Sequence, residues 1–286
     1  MTVDPIVALE SLGYTKREAA FLYLAAVHSG YFLRRQFDYF IDRNKGSIVM
    51  RFLEKARIAG HIQLLDTMHR RQVYHLFYKP IYRLVGAPDS QNRRIKGDAD
   101  VRARLMRLDY VLENDRERYL ENDDAKLNYL CRTRGVDIEV VSTADGCLRP
   151  ALQSALISLA DPGQPATSLV RLIFVDEGLL TTAKFERVLR SLDSLLRAVA
   201  DFELIYVATS DHNFRAAAAL FRKQFGAVSK RTQGAFSFDL RTVSRDQELS
   251  ASRLHPRFTT LQLRFPYPSL HRNERHGSRQ GSELTR

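Results

Sequence analysis

Polar and basic side chains recur at four-residue spacing from Ser47 to Lys55. Ser47, Arg51 and Lys55 fall on one face of a predicted helix whose opposite face is apolar. Arginine and lysine bind phosphates whatever the base sequence, whereas base edges in the major groove must be met by side chains on one exposed helical face. The spacing therefore predicts a helix that contacts duplex DNA; the alternative is a solvated face of a protein-interaction module. We assign to the same contact the neighbouring residues Arg34, Arg35, Arg43, Asn44, Lys45, Arg70 and Arg71.

A second set of residues has the chemistry of a metal site. Asp176 and Glu177 close the apolar run "RLIFV", a position where α/β proteins often place metal-binding carboxylates. With Asp161 before this run and Lys184 after it, the four residues are candidates for a catalytic site. The alternative is that the acidic pair stabilises the start of the following helix. Because the histidines are scattered and no phosphate-binding loop is present, we otherwise expect no enzyme, no bound metal and no cofactor.

Three predicted helices and a hairpin position the basic residues. Thr15 and Glu18 form a capping box that starts a helix from Lys16 to His28. A short second helix follows in "FLRRQFDYFI", and a third runs from Ser47 to Gly60. "HIQLL" and "QVYHLF" then flank "DTMHRR" as two strands of a hairpin. This order predicts a winged helix-turn-helix domain in residues 1–86.

Charge and composition support a nucleic-acid partner. The 286 residues carry a net charge of +11, and the first 86 hold 13 Lys and Arg against 7 Asp and Glu. Such a balance favours polyanions. No apolar run of about 18 residues occurs, and the N-terminus begins with Asp4 and Pro5 instead of a basic and apolar leader. We therefore expect a cytoplasmic protein without a membrane partner, with Cys131 and Cys147 as free thiols.

The remainder divides into three predicted parts. "GAPDSQNRRIKGD" resembles a linker and leads to a helix with Val101, Leu105, Leu108 and Leu112 on one side, so residues 87–135 form a helical connector that packs on a partner or a dimer mate. Residues 136–243 alternate the strand-like runs "IEVV", "LVRLIFV", "FELIYVAT" and "AFSFDL" with two clear helices, which predicts a mixed α/β domain with some parallel strands. Residues 244–286 are expected to be a flexible basic tail. The predicted fold class is thus α+β and α/β.

A resemblance to a known family rests on the later strand that ends in an acidic residue and on three stretches, "LGYTKREAAFLYL", "FLEKARIAGHI" and "VYHLFYKPIYRLVG". In these parts the chain resembles the replication-relaxation proteins of bacterial plasmids and mobile elements. The similarity covers about residues 10 to 210. It implies a winged-helix DNA-binding half and a C-terminal half similar to the restriction-endonuclease fold. A nuclease of that kind would carry a lysine two residues after the acid, where this chain has Leu179.

The sequence therefore predicts a bacterial protein that binds double-stranded DNA and forms a homodimer. The resemblance implies a role in transcription control or in the replication and maintenance of a mobile element. Two alternatives stay open: a metal-dependent nuclease with a restriction-endonuclease-like C-terminal domain, and a protein-interaction scaffold.

Overall fold

A computed structural model describes residues 4–41, 46–65, 72–142, 155–178, 181–199, 201–226, 234–235 and 257–263. This described part is a mixed α and β protein with ten α-helices and two sheets. The α+β component of the predicted fold class is thus confirmed. None of its helices is both long and apolar enough to cross a membrane.

The elements up to residue 86 form a unit that we call the head. Thr15 caps the second helix as predicted: its side chain accepts from the backbone amide of Glu18, and the Glu18 carboxylate accepts from the amide of Thr15. Three short strands make an antiparallel sheet in the order β1-β3-β2. The described elements of the head are α1 (Pro5–Glu10), α2 (Lys16–His28), β1 (Tyr31–Leu33), α3 (Arg34–Phe40), α4 (Gly46–Ile58), β2 (Ile62–Leu65), β3 (Val73–Leu76) and α5 (Lys79–Leu84).

Aromatic side chains fill the core of the head. Phe21 of α2, Phe37 of α3 and Phe52 of α4 are completely buried, and the rings of Phe37 and Phe52 lie 4.1 Å apart between centroids. Burying large aromatic side chains is the main favourable contribution to folding such a small unit. The three helices are therefore fixed relative to one another by one shared cluster.

The predicted linker is not a free segment. Asn92, in a short 3-10 helix (Gln91–Arg93), donates from Nδ2 to the backbone carbonyls of Ala26 and Val27 at 2.9 and 2.8 Å. These bonds satisfy carbonyls at the end of α2 that have no partner within the helix. The chain is thereby held against the head before it enters the next helix.

That helix, α6 (Asp98–Glu113), lies between the head and the larger sheet. It contributes Leu108 to the core of the head, Leu105 to a cluster on β1 and β3, and Met106 to the core against the larger sheet. The four residues predicted to share an apolar side are all buried. The expectation that they pack on a partner or dimer mate is wrong, because the chain's own elements cover them.

The larger sheet has six strands in the order β4-β5-β6-β7-β9-β8. The first three pair antiparallel, and β6, β7, β9 and β8 pair in parallel, as predicted for part of this region. β4 comes from the predicted connector. The strands are β4 (Arg118–Tyr119), β5 (Leu156–Leu159), β6 (Val170–Asp176), β7 (Phe202–Ala208), β8 (Gly234–Ala235) and β9 (Arg257–Gln262).

Two amphipathic helices cover the face of this sheet that points away from α6. Both were predicted from their sequence period, and their apolar sides pack on residues of β6, β7 and β9. They are α9 (Ala183–Val199) and α10 (Phe214–Phe225). Between α6 and α9 the chain also forms α7 (Asp123–Leu127), a π-helical turn (Asn128–Thr133) and α8 (Ile138–Ser142).

Two local predictions are wrong. "IEVV" forms the helix α8 instead of a strand: the Asp137 carboxylate accepts from the amide of Glu139 at 2.9 Å and starts the turn, and a four-residue apolar run does not by itself distinguish helix from strand. Within the predicted flexible tail, Arg257–Gln262 form β9, which pairs with β7 and places Phe258 5.0 Å from the ring of Phe221. Of "AFSFDL", only Ala235 lies within the described residues.

Candidate nucleic-acid interface

The predicted division of α4 into two faces is confirmed. Val49, Phe52, Leu53 and Ala56 are buried in the head, and Ile48 packs against the same core. The other face of the helix is exposed to solvent, and its exposed residues are Ser47, Met50, Arg51, Glu54, Arg57 and Ile58.

Arg51 lies where the sequence predicts it. Its side chain is exposed and runs back along α4, so that Nε donates to the carbonyl of Ser47 at 3.4 Å. It borders an open cleft of about 450 Å³ between the start of α2 and the facing sides of α3 and α4. The floor of the cleft is apolar and its rim is basic; the lining residues are Thr15, Arg17, Glu18, Phe37, Ile41, Ile48, Arg51 and Lys55.

Lys55 does not point into a groove as predicted. Its Nζ contacts the Glu18 carboxylate, donates to the carbonyl of Gly13 at 3.2 Å and lies 5.0 Å from the centroid of the Tyr14 ring. Only 37% of its side chain is exposed. Lys55 therefore ties α4 to the start of α2, because the capping glutamate is already fixed there and offers an opposite charge.

Tyr14 and His61 complete this junction. The Tyr14 hydroxyl is hydrogen-bonded to Nδ1 of His61 at 2.6 Å. Burial, and then the charge of Glu18, raise the pKa of Tyr14, while burial lowers the pKa of His61. Both groups are thus neutral at physiological pH, and Lys55 is the cation of the junction.

The two arginines of α3 have different surroundings. Arg34 has a side chain 47% exposed and forms a 3.7 Å ion pair with Asp38 one turn further along α3. Arg35 instead donates from both terminal nitrogens to the two carboxylate oxygens of Asp109 in α6, each at 2.7 Å. The pair does not favour the predicted contact of Arg35 with phosphate, since it holds the guanidinium against a carboxylate of the same chain that is 3% exposed.

Glu113 lies one turn beyond Asp109 on α6. Burial, and then the nearby Asp109 carboxylate, raise the pKa of Glu113 to about 7 against the opposing effect of Arg35. Its Oε2 is buried and has no hydrogen-bond partner among the described residues. The junction between the head and α6 thus holds a carboxyl group, that of Glu113, which loses its proton at an unusually high pH.

Arg17 is a residue that the sequence reasoning missed. It is exposed in the first turn of α2 and borders the same cleft as Arg51. The sequence carried a signal for this exposure, because the capping box of Thr15 and Glu18 fixes the first turn of α2 and leaves the two intervening side chains at the surface. The predicted contact residues Arg43, Asn44, Lys45, Arg70 and Arg71 lie outside the described part of the chain.

Three of the four candidate catalytic residues meet at the end of β6. Asp176 is 2% exposed and accepts from the Tyr206 hydroxyl, from Nδ2 of Asn213 at 3.1 Å and from the amide of Gly178 at 3.1 Å. The neighbouring Glu177 carboxylate pairs with Nζ of Lys184 at 2.6 Å. This contact matches the alternative interpretation, in which the acidic pair stabilises the start of the following helix, because Lys184 lies in the first turn of that helix.

Asp161 does not join them. It follows β5 and precedes β6, whereas Asp176 closes β6, so a seven-residue strand separates the two carboxylates. At about 3.3 Å per residue this is roughly 20 Å. Within the described ranges, no group of three or more His, Cys, Asp and Glu side chains could hold a metal ion. The predicted four-residue constellation is therefore wrong.

Comparison of the chain with protein-family models, with curated proteins and with solved structures found no match.

Proposed function

We propose that the chain is a DNA-binding protein whose head is a winged helix-turn-helix domain. The support is the element order α2, β1, α3, α4, β2, β3, with a three-stranded antiparallel sheet behind three helices. In that architecture α4 is the helix that enters the major groove and β2 and β3 flank the wing. The segment that would form the tip of the wing, residues 66–71, lies outside the described residues.

The observation that carries the proposal is the open outer face of α4. The helix is attached to the head by α3 and β2, whereas α6 packs against α2, α3 and β1. The larger sheet lies beyond α6, so the described later elements pack on the head away from α4. A duplex can therefore approach Ser47, Met50 and Arg51 from solvent.

We assign two kinds of contact to this surface. Ser47, Met50 and Arg51 on the exposed side of α4 would meet base edges, because the major groove is wide enough to admit an α-helix. Arg17 and Arg34 would meet backbone phosphates and set the position of the head on the duplex. Lys55 and Arg35 are left out because each is held by a carboxylate within the chain.

The experiment is duplex binding measured by fluorescence anisotropy over a range of salt concentrations. The slope of log affinity against log salt falls by about 0.9 for each phosphate contact removed. Arg17 is the phosphate contact removed in the double variant Arg17→Ala with Arg51→Ala, so this variant should lose about one unit of slope. Loss of the Arg51 base contact should weaken its binding at every salt concentration. The matched control is Arg116→Ala with Arg132→Ala, which removes the same charge from exposed positions elsewhere. An equal slope change in both variants would count against the assigned surface.

Assays with the same protein also test the two alternative functions predicted from the sequence. A scaffold with a head that does not bind DNA would show no duplex binding even at low salt. A metal-dependent nuclease would cut plasmid DNA with Mg²⁺ or Mn²⁺, and the cleavage would be lost in Asp176→Ala. No described cluster favours this second activity, since Asp161 lies apart and Lys184 neutralises Glu177. From the resemblance noted above, we propose that binding serves transcription control or the replication and maintenance of a mobile element.

A further inference from the structure

The outer face of α10 carries only positive charge. Arg215, Arg222 and Lys223 are exposed, and no acidic residue occurs between Asp211 and Gly226. The inner face of the same helix, with Phe214, Ala217 and Phe221, is buried against the larger sheet. The basic side chains therefore cannot turn inward, and they project from a rigid, well-packed helix.

The neighbouring face of α9 does not neutralise this charge. The Asp193 carboxylate pairs with Arg197 at 3.0 Å, and its Oδ1 accepts a hydrogen bond from Nε2 of Gln224 at 2.8 Å. Glu186 similarly lies 3.8 Å from Arg190. The acids of α9 are thus matched by arginines of α9, and the charges of α10 stay uncompensated by the described residues around them.

The junction of the two helices is also fixed. The Arg197 guanidinium donates to the carbonyl of Gln224 at 2.9 Å and lies 5.5 Å from the centroid of the Phe225 ring. The side-chain amide of Gln224 donates to the carbonyl of Leu189 at 3.0 Å. The basic end of α10 is therefore anchored on α9, which keeps its charges in a constant arrangement.

We propose that the outer face of α10 is a second binding surface for the phosphate backbone of duplex DNA. Arg215 and Arg222 are two helical turns apart, which places them about 10 Å from one another along the helix axis. One strand of B-DNA has a phosphate about every 3.4 Å along its axis. The two guanidinium groups therefore span about three phosphates of one strand.

Small side chains between these charges allow close approach. Ala216 and Ala219 are exposed on the same outer face, so a backbone can come near the helix without steric hindrance. A membrane surface is a poorer fit, because interfacial helices bury bulky apolar residues in the lipid. The large hydrophobic side chains exposed in the described residues all lie elsewhere, namely Val7, Tyr39, Met50, Ile58, Leu64, Ile95 and Ile138.

The position of α10 places its basic surface far from the DNA-binding surface proposed for α4. α10 covers the sheet face opposite to α6, and the head lies beyond α6. The sheet and α6 therefore separate α10 from the head, and one chain would hold two duplex segments. Only this bridging step rests on the function proposed above; the α10 surface itself does not.

A photo-crosslink tests the surface directly. With p-benzoylphenylalanine in place of Ala219, we expect the full-length protein to crosslink to a labelled duplex, and to do so equally when Arg17→Ala and Arg51→Ala are also present. The control position is Ile95, which is 69% exposed and lies on neither surface. No crosslink at residue 219, or an equal yield at residue 95, would overturn the proposal. Crosslinking at 219 with unchanged binding in the Arg17 and Arg51 variant would instead overturn the function assigned to α4.

Charge removal supplies the second measurement. The triple variant Arg215→Ala, Arg222→Ala and Lys223→Ala should lose about two to three units of salt slope, and it should no longer let bead-bound duplex capture a second labelled duplex. Its control, Arg94→Ala with Arg116→Ala and Arg132→Ala, removes the same charge elsewhere. If both triple variants behave alike, or if only binding to phosphatidylserine vesicles is lost, the α10 surface does not bind DNA.

Discussion

Replacing Arg35 by alanine separates a structural role from a DNA contact. In the structure its guanidinium makes two 2.7 Å hydrogen bonds to Asp109, whose side chain is 3% exposed. Removing one partner of a fully buried pair costs about 3–5 kcal/mol, mainly because a buried charge loses its counterion. Since 30% of the Arg35 side chain still reaches solvent, we expect a loss of about 2–3 kcal/mol.

The neighbouring Arg34→Ala is the matched control. Arg34 is on the same helix, has the same charge and makes only a 3.7 Å surface pair with Asp38, so its removal should cost about 0.5 kcal/mol or less. The assay is the urea midpoint at an unchanged m value. In duplex binding below the unfolding transition, Arg34→Ala should lower the salt slope and Arg35→Ala should not. Equal urea midpoints for the two variants, or a slope change confined to Arg35→Ala, would refute the reasoning.

Three further changes test other parts of the fold. Lys55→Ala should lower the free energy of unfolding by about 0.5–1 kcal/mol, because Glu18 loses a partly exposed ion pair. The same variant should leave the salt slope of duplex binding unchanged, and a slope loss of about one unit would mean that Lys55 contacts DNA after all. Because the pKa of Glu113 is raised in the folded protein, its contribution to stability is full below about pH 4.5 and is lost as pH rises toward about 7. Glu113→Gln should remove that decline from urea midpoints measured between these pH values, and an unchanged decline would mean that another group causes it. Phe258→Ala should cost about 3–5 kcal/mol, and a cost near zero would contradict the packing of β9 in the core.

Local sequence signals predicted much of the head and the helices on the sheet. The capping box of Thr15 and the apolar period of α4 depend only on residues three or four apart, so their structural consequences can be read from the sequence. The same holds for α9 and α10. Arg51 was placed correctly because its exposure follows from the burial of Phe52 and Val49 on the other side of the helix.

The parts that were missed depend on contacts distant in the sequence. Arg35 meets a carboxylate 74 residues later, and nothing in its own helix indicates that partner. β9 is a six-residue strand whose neighbour β7 lies far upstream, so only the assembled sheet stabilises it. For the same reason α6 resembles an amphipathic surface helix in sequence although the head and the larger sheet cover it on both sides.

The most direct test of the central claim is the salt dependence of duplex binding by the variant Arg17→Ala with Arg51→Ala. We predict that this variant loses about one unit of slope, while Arg116→Ala with Arg132→Ala stays close to the unmodified protein. The same slope for both variants, or no duplex binding by the unmodified protein at low salt, would contradict it.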